Sequence, residues 1–152
     1  MNPRSPSPLR LQVQRQGSAA EVSLAVPSDL GIVGDAVELI AAECRAGPLS
    51  PRRLQFNLRT ALAEALANAI TYGNQLDPAK LVRVRVLIDA EVVHIHVSDD
   101  GDGFDPDAIP DPTTPERLEE ENGRGLFVLR RLVDHVSFNE KGNSVCLTLR
   151  AG

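Results

Sequence analysis

The sequence predicts an α+β fold, a two-layer sandwich in which a mixed, mostly antiparallel sheet is covered on one face by about three helices. Three observations carry that expectation. Residues 81–89 and 92–98 alternate apolar with polar side chains, the period of a strand with one buried face. Only Ala90-Glu91 separates them, and a connection that short joins antiparallel neighbours. Two segments of helical period stand between this hairpin and an earlier pair of alternating runs. The order is therefore β-β-α-α-β-β-loop-α-β-β.

Residues 1–8 (Met-Asn-Pro-Arg-Ser-Pro-Ser-Pro) read as a disordered tail, ahead of one domain over 9–152 with its core at 20–150. Residues 9–13 and 21–26 alternate and predict two strands. Pro27-Ser-Asp interrupts the pattern, and Ser28 or Asp29 is placed to cap a helix reaching about Arg45, where Gly47-Pro48 stops it. Ser50-Pro51 opens the next helix, with Ser as N-cap and Pro at the first helical position. That helix runs to Gly73, which suits a C′ cap. Residues 100–124 form a polar, proline-rich connection of a length usually either functional or mobile. A helix over 126–133 follows, and then a closing hairpin of 136–139 and 145–149 across Lys141-Gly142-Asn143. No internal repeat is present.

Composition narrows the function classes. With 152 residues, 42% of them hydrophobic, the chain can build a real core. A net charge of −5 argues against direct nucleic-acid binding, and 3% aromatics without Trp leave no platform for stacking bases. Charges break every apolar stretch well before membrane-spanning length. No apolar segment of signal-peptide type follows the N-terminus, and three prolines spoil a transit-peptide helix around Arg4. Cys44 and Cys146 fit no metal spacing and are expected as two separate reduced thiols, which points to the cytoplasm.

Three segments carry candidate chemistry. On the second helix, Leu54, Leu58, Leu62, Ala65, Leu66 and Ala69 share an apolar face, while Thr60, Glu64, Asn68 and Thr71 gather opposite. Glu64 and Asn68, four apart, are neighbours. Spacing alone favours a solvated polar face, and it is also met by a carboxylate and amide at a magnesium–phosphate site. Asp99-Asp-Gly-Asp-Gly103 follows a strand, so Asp99 falls at the strand's end, with Gly101 and Gly103 permitting close backbone approach to a ligand. An acidic β-turn explains the same residues. A calcium loop does not, because its twelfth position would be Ile109. Gly123-Arg-Gly125 precedes a helix, whose free N–H groups favour a phosphate, and a flexible loop end explains the same glycines. No Walker-type loop occurs, and Gly31-x-x-Gly34 lacks the strand that a dinucleotide fingerprint needs. His94 and His96 share one strand face without a third metal ligand and are expected to be structural.

In this order and spacing the segments resemble the GHKL (Bergerat-type, histidine-kinase-like) ATPase fold, and within it the anti-sigma factor serine/threonine-protein kinase family. Glu64-Ala-Leu-Ala-Asn68-Ala-Ile-Thr-Tyr-Gly-Asn74 is similar to that family's N-box. Asp99-Asp-Gly-Asp-Gly-Phe-Asp-Pro106 is similar to its first glycine box, and Gly123-Arg-Gly-Leu-Phe-Val-Leu-Arg-Arg-Leu-Val-Asp134 to its second. The resemblance spans roughly residues 20–150.

It implies ATP and Mg²⁺ as cofactors, with Glu64 as general base for a serine hydroxyl and Asn68 as the Mg²⁺ ligand. Asp99 would accept a hydrogen bond from the adenine amino group. Gly101 and Gly103 would admit the nucleotide, Gly123, Arg124 and Gly125 would close on its phosphates, and residues 105–122 would form the ATP lid. The implied partners are a STAS-like anti-anti-sigma protein and a sigma factor, with no membrane or nucleic acid contacted directly. A homodimer through the N-terminal strands and first helix is also implied. Two departures stand out: Gly142-Asn143-Ser144 replaces the usual Gly-Thr, and the short lid holds Pro110, Pro112 and Pro115. A non-catalytic, ATP-regulated binding module and a detached ATPase domain of a histidine kinase remain as alternatives.

Overall fold

The computed structural model describes residues 9–101 and 121–151, with side chains from residue 127 onward in the second stretch. The predicted tail at 1–8 lies outside the described residues. Six strands, β1 (Arg10–Gln16), β2 (Ala19–Pro27), β3 (Leu81–Ile88), β4 (Val92–Ser98), β5 (His135–Phe138) and β6 (Ser144–Arg150), form one sheet. Their spatial order is β1-β2-β3-β4-β6-β5. Helix α1 is Val33–Cys44, α2 is Arg59–Asn68 and α3 is Glu121–Leu132.

Every neighbouring pair of strands is antiparallel, so the sheet expected as mixed and mostly antiparallel is antiparallel at every pairing. The one crossover that restores direction runs from β4 through α3 to β5, and β6 inserts itself between those two strands. Parallel strands therefore exist but never touch.

The period-2 pattern places the core. Ala20, Val22, Leu24 and Val26 of β2 point to the same face as Val82, Val84, Val86 and Ile88 of β3. Val93, Ile95 and Val97 of β4 and Leu147 and Leu149 of β6 complete this apolar floor. From above it is covered by Ala36, Val37, Ile40, Ala41 and Cys44 of α1, and by Leu54, Leu58, Ala61, Leu62, Ala65, Leu66, Ala69 and Ile70 along the second helical segment. All six apolar positions expected on that segment are buried. Removing so much apolar surface from water, at about 25 cal/mol per Å², is what holds the two layers together.

Local chemistry sets the helix limits. Ser50 Oγ accepts from Arg53 N at 3.2 Å, the N-cap that the sequence predicts ahead of Pro51. Asp29, rather than Ser28, caps the turn entering α1, accepting from Gly31 N at 2.9 Å. The second helical segment is not uniformly α. Arg53–Leu58 and Ala69–Gly73 are π-helical turns flanking α2. Gly73 is not a left-handed cap: the positive φ angles fall on Gln75 (53°) and Leu76 (59°) instead. Gly73 is small for another reason, a close approach described below. Helix α3 starts at Glu121, ahead of the predicted 126, so Gly123-Arg-Gly125 belongs to its opening turns rather than preceding it. Glycine costs about 1 kcal/mol in a helix interior, but less is lost where the first amides are unpaired anyway.

No helix among the described residues is long and apolar enough to cross a membrane.

Candidate functional site

The π-helical turn after α2 and the loop leaving β4 meet at one place, and glycine is what lets them. A Cβ on Gly73 would lie 2.2 Å from Asp99 Oδ2, and a Cβ on Gly101 would lie 2.1 Å from the Gly73 carbonyl oxygen. The π-helical turn Ala69–Gly73, closed by Asn74 N donating to Ala69 O at 2.8 Å, delivers Gly73 to this contact. Single π turns of this kind are frequent at functional sites. The Asp99 carboxylate thus lies directly against the helix backbone, five residues beyond Asn68 and nine beyond Glu64.

The loop Asp99–Gly101 is held from two sides by amide side chains. On the helix side, Asn74 is fully buried and uses its whole amide group: Oδ1 accepts from Asp100 N (2.7 Å), and Nδ2 donates to Ser28 Oγ (3.0 Å) and Leu81 O (3.1 Å). Ser28 in turn donates to Lys80 O at 2.6 Å, which explains why this buried serine does not cap the first helix. On the sheet side, Asp99 N donates to Asn143 O (2.9 Å), while Asn143 Nδ2 approaches Asp99 O and Gly101 O at 3.4 and 3.5 Å. Asn139 steadies that turn, its Oδ1 accepting from the amides of Gly142, Asn143 and Ser144. The departure Gly142-Asn143-Ser144 therefore builds a brace for the loop.

The two adjacent acids have opposite environments. Asp100 pairs with Arg83 at 2.7 Å and accepts from Leu81 N at 3.2 Å, and the guanidinium holds its carboxyl below the usual carboxylate range. Burial pushes the Asp99 carboxyl up, against the Gly101 N–H that donates to Oδ1 at 2.8 Å, with the charge of Asp100 adding to the rise. An acid whose folded pKa exceeds its unfolded value holds its proton more tightly when folded. Stability from Asp99 is thus highest below its ordinary value of 3.8 and is lost as pH rises through the raised folded value. Asp99→Asn removes that loss. We expect a higher Tm than the parent at neutral pH and a flatter acid-side profile in circular dichroism melts. Parallel profiles for the two proteins contradict the burial of this carboxyl.

Several groups here have bonding capacity to spare. Glu64 and Asn68 are both partly buried, and neither side chain hydrogen-bonds to another described residue. The Tyr72 hydroxyl is buried without a partner among the described residues. Asp99 Oδ2 receives no hydrogen bond from them either. Of these only the Tyr72 hydroxyl is fully buried, and a buried polar atom left unpaired calls for a water or ligand partner. Hard oxygens from a carboxylate and a neutral amide suit Mg²⁺, which is commonly held by one or two protein ligands together with phosphates. The residues present fit a magnesium nucleotide.

The structure thus brings Asp99 and Gly101 against the C-terminal end of the segment that carries Glu64 and Asn68. Gly103 and residues 105–120 of the expected lid lie outside the described residues. For Gly123, Arg124 and Gly125 only the helical backbone is described. A calcium loop would draw on Ser98 and Asp100 as ligands, but Ser98 Oγ donates to Ser144 Oγ (2.8 Å) and Asp100 is committed to Arg83. His94 Nδ1 meets Thr148 Oγ1 at 3.1 Å, and His96 Nε2 lies 3.7 Å from Cys146 Sγ, both on the sheet face away from the helices. No group of three metal-binding side chains occurs among the described residues. Both cysteines are free, and burial pushes the Cys44 thiol up to about 12, which makes it unreactive.

Sequence reasoning passed over Asn74, Asn143 and Tyr72 as site residues. Asn74 and Tyr72 lie inside the N-box-like motif, but their contacts depend on a π-helical turn and left-handed residues that spacing does not reveal.

Residues 26–149 match the family model for the histidine kinase-like ATPase domain, and the chain belongs to that family. The ATPase domain implies ATP as its nucleotide. The chain is 35% identical over 96 residues to the anti-sigma F factor of Geobacillus stearothermophilus, covering 59% of this chain and 65% of the relative. It is 32% identical over 89 residues to the anti-sigma F factor of Anoxybacillus flavithermus, covering 57% and 60%. Serine-protein kinase RsbW of Oceanobacillus iheyensis is 29% identical over 91 residues, covering 56% and 58%. The chain spans about three fifths of the length of the curated relatives it matches. These relatives support the resemblance to GHKL anti-sigma kinases that the three motifs carry.

Proposed function

We propose that this protein is a Mg-ATP-dependent serine kinase of the partner-switching type, which holds a target such as a sigma factor and phosphorylates a STAS-like antagonist on serine. The observation that carries the proposal is that Glu64 stands one helical turn from Asn68, neither side chain hydrogen-bonded to another described residue, on the segment that ends against Asp99. A module that only bound nucleotide would have no use for a carboxylate at that place.

In this mechanism the Asp99 carboxylate accepts a hydrogen bond from the adenine amino group, and Gly101 admits the base by leaving no side chain in its way. Asn68 would hold Mg²⁺ through its amide oxygen. The metal, when bound, neutralises phosphate charge and aligns the phosphates for in-line transfer. Glu64 takes the proton from the attacking serine hydroxyl, for which it must come within about 2.6–3.2 Å or one water of that oxygen. Gly123, Arg124 and Gly125 lie in the first turns of α3, where the positive end of the helix dipole favours phosphate and the first amides, as far as that of Gly123, are free of the helical ladder. Arg124 would add a positive charge there. Gly103 and the lid, residues 105–122, would complete the enclosure. We place this activity in the cytoplasm, with a homodimer formed through the N-terminal strands and first helix.

The test is phosphoamino-acid analysis after incubation with radiolabelled Mg-ATP and a STAS-like antagonist. Acid-stable phosphoserine on the antagonist is the expected product. Acid-labile phosphohistidine on a separate acceptor would instead assign the domain to a histidine kinase. No transfer to any acceptor, with ATP still bound, would leave a non-catalytic binding module.

A further inference from the structure

We propose that Asn74 is a positioning residue for the nucleotide loop, its buried amide fixing the Asp99–Gly101 backbone and with it the direction in which Asp99 presents its carboxylate. The inference rests on the nucleotide role proposed above for Asp99. Three separate segments converge on this one side chain: the turn after β2 through Ser28, the start of β3 through Leu81, and the loop after β4 through Asp100 N. Asn74 is itself fixed to the end of the helical segment, its N–H donating to Ala69 O. It is the only fully buried side chain of polar type among the described residues, at 0% exposure.

The chemistry asks for an amide in particular. Asp100 N needs an acceptor, while Leu81 O and the lone pair of Ser28 Oγ need donors, because the Ser28 proton is already given to Lys80 O. A carboxylate would supply no donor, and an ammonium no acceptor. An amide supplies both. Moreover, the hydrogen bond that orients Asp99, from Gly101 N to Oδ1, and the packing of Oδ2 against Gly73 both depend on where the Asp100 peptide is held. Asn74 touches no atom expected to touch nucleotide. It acts by fixing the peptide next to the residue that does.

Three proteins compared with the parent test this: Asn74→Ala, Ser28→Ala, and Leu54→Ala as a core variant at the far end of the helical segment. Two readouts are needed, amide hydrogen exchange without nucleotide and calorimetric affinity for ADP and GDP. Asn74→Ala is expected to speed exchange at Asp100 and Gly101 by about tenfold, the loss of one buried hydrogen bond, beyond any change in the β-sheet amides. It is also expected to weaken ADP binding and to narrow the preference for ADP over GDP, since Asp99 is no longer held in one direction. Ser28→Ala, which removes one of the groups Asn74 bonds, should move both readouts the same way by less, and it keeps the test alive if Asn74→Ala does not fold. Leu54→Ala should lower stability without changing local exchange at the loop or the ADP/GDP ratio. Loop exchange that tracks global stability equally in all three variants overturns the proposal. A parent that binds neither nucleotide overturns the nucleotide role of Asp99, and the exchange data then still decide whether Asn74 fixes the loop.

Discussion

Glu64→Gln is expected to lower phosphoryl transfer to protein serine by about 10²–10⁴-fold, the range for removal of a positioned general base, while ATP affinity stays unchanged. Gln keeps the length and the hydrogen-bonding oxygen of Glu and loses only the ability to take a proton. Because Glu64 makes no hydrogen bond to another described residue, the substitution breaks no contact that holds the fold together there. Its Tm should therefore match the parent's. Single-turnover transfer rates with calorimetric ATP affinity check this directly. A Glu64→Gln protein that transfers at the parental rate removes Glu64 from the chemistry, and equal losses of affinity and rate would make it a binding group instead.

Gly73→Ala is the other large effect. Its Cβ would fall 2.2 Å from Oδ2, 2.3 Å from Cγ and 2.7 Å from Oδ1 of Asp99, so the whole carboxylate must turn away. A displacement on the scale of 1 Å at a binding group can cost about 10²-fold, and we expect ATP affinity to fall by about that much. The cause is a side chain, so relief is available. In an Asp99→Ala background Gly73→Ala should cost far less stability than in the parent, a non-additivity expected only of groups in contact. Gly101→Ala differs, since its Cβ meets the carbonyl oxygen of Gly73 at 2.1 Å and the carbonyl carbon at 2.8 Å. Trimming Asp99 should not rescue it. Chemical denaturation of the four proteins in the Gly73/Asp99 cycle decides the matter, and additive losses would contradict the close approach.

The element order and the buried face were legible because both rest on period. Alternation in 92–98 gave β4 to the residue, and the apolar stripe of the second helical segment is buried in full. What escaped was geometry that no period encodes. Gly73 looks like a helix terminator in any sequence, yet its φ is not left-handed, and it is glycine because Asp99 occupies the space beside it. Gly123-Arg-Gly125 looked like a break before a helix, where helix formation through Glu121–Leu132 in fact extends over both glycines. Asn74 was visible only as the last residue of a motif. Its role as the meeting point of three segments depends on partners 46, 7 and 26 residues away in sequence. The candidate site was readable as three segments of suitable chemistry, and the resemblance supplied their roles. That the helix end and the loop are in contact, through two glycines, came from the structure.

The central claim is that Asp99 anchors a magnesium nucleotide, and calorimetric titration of ATP with and without Mg²⁺ tests it most directly, on the parent and on Asp99→Asn. The expected result is Mg²⁺-dependent binding by the parent that Asp99→Asn abolishes, in a variant whose Tm at neutral pH is no lower than the parent's. Binding of equal strength by both proteins, or none by a folded parent with either ATP or ADP, would contradict it.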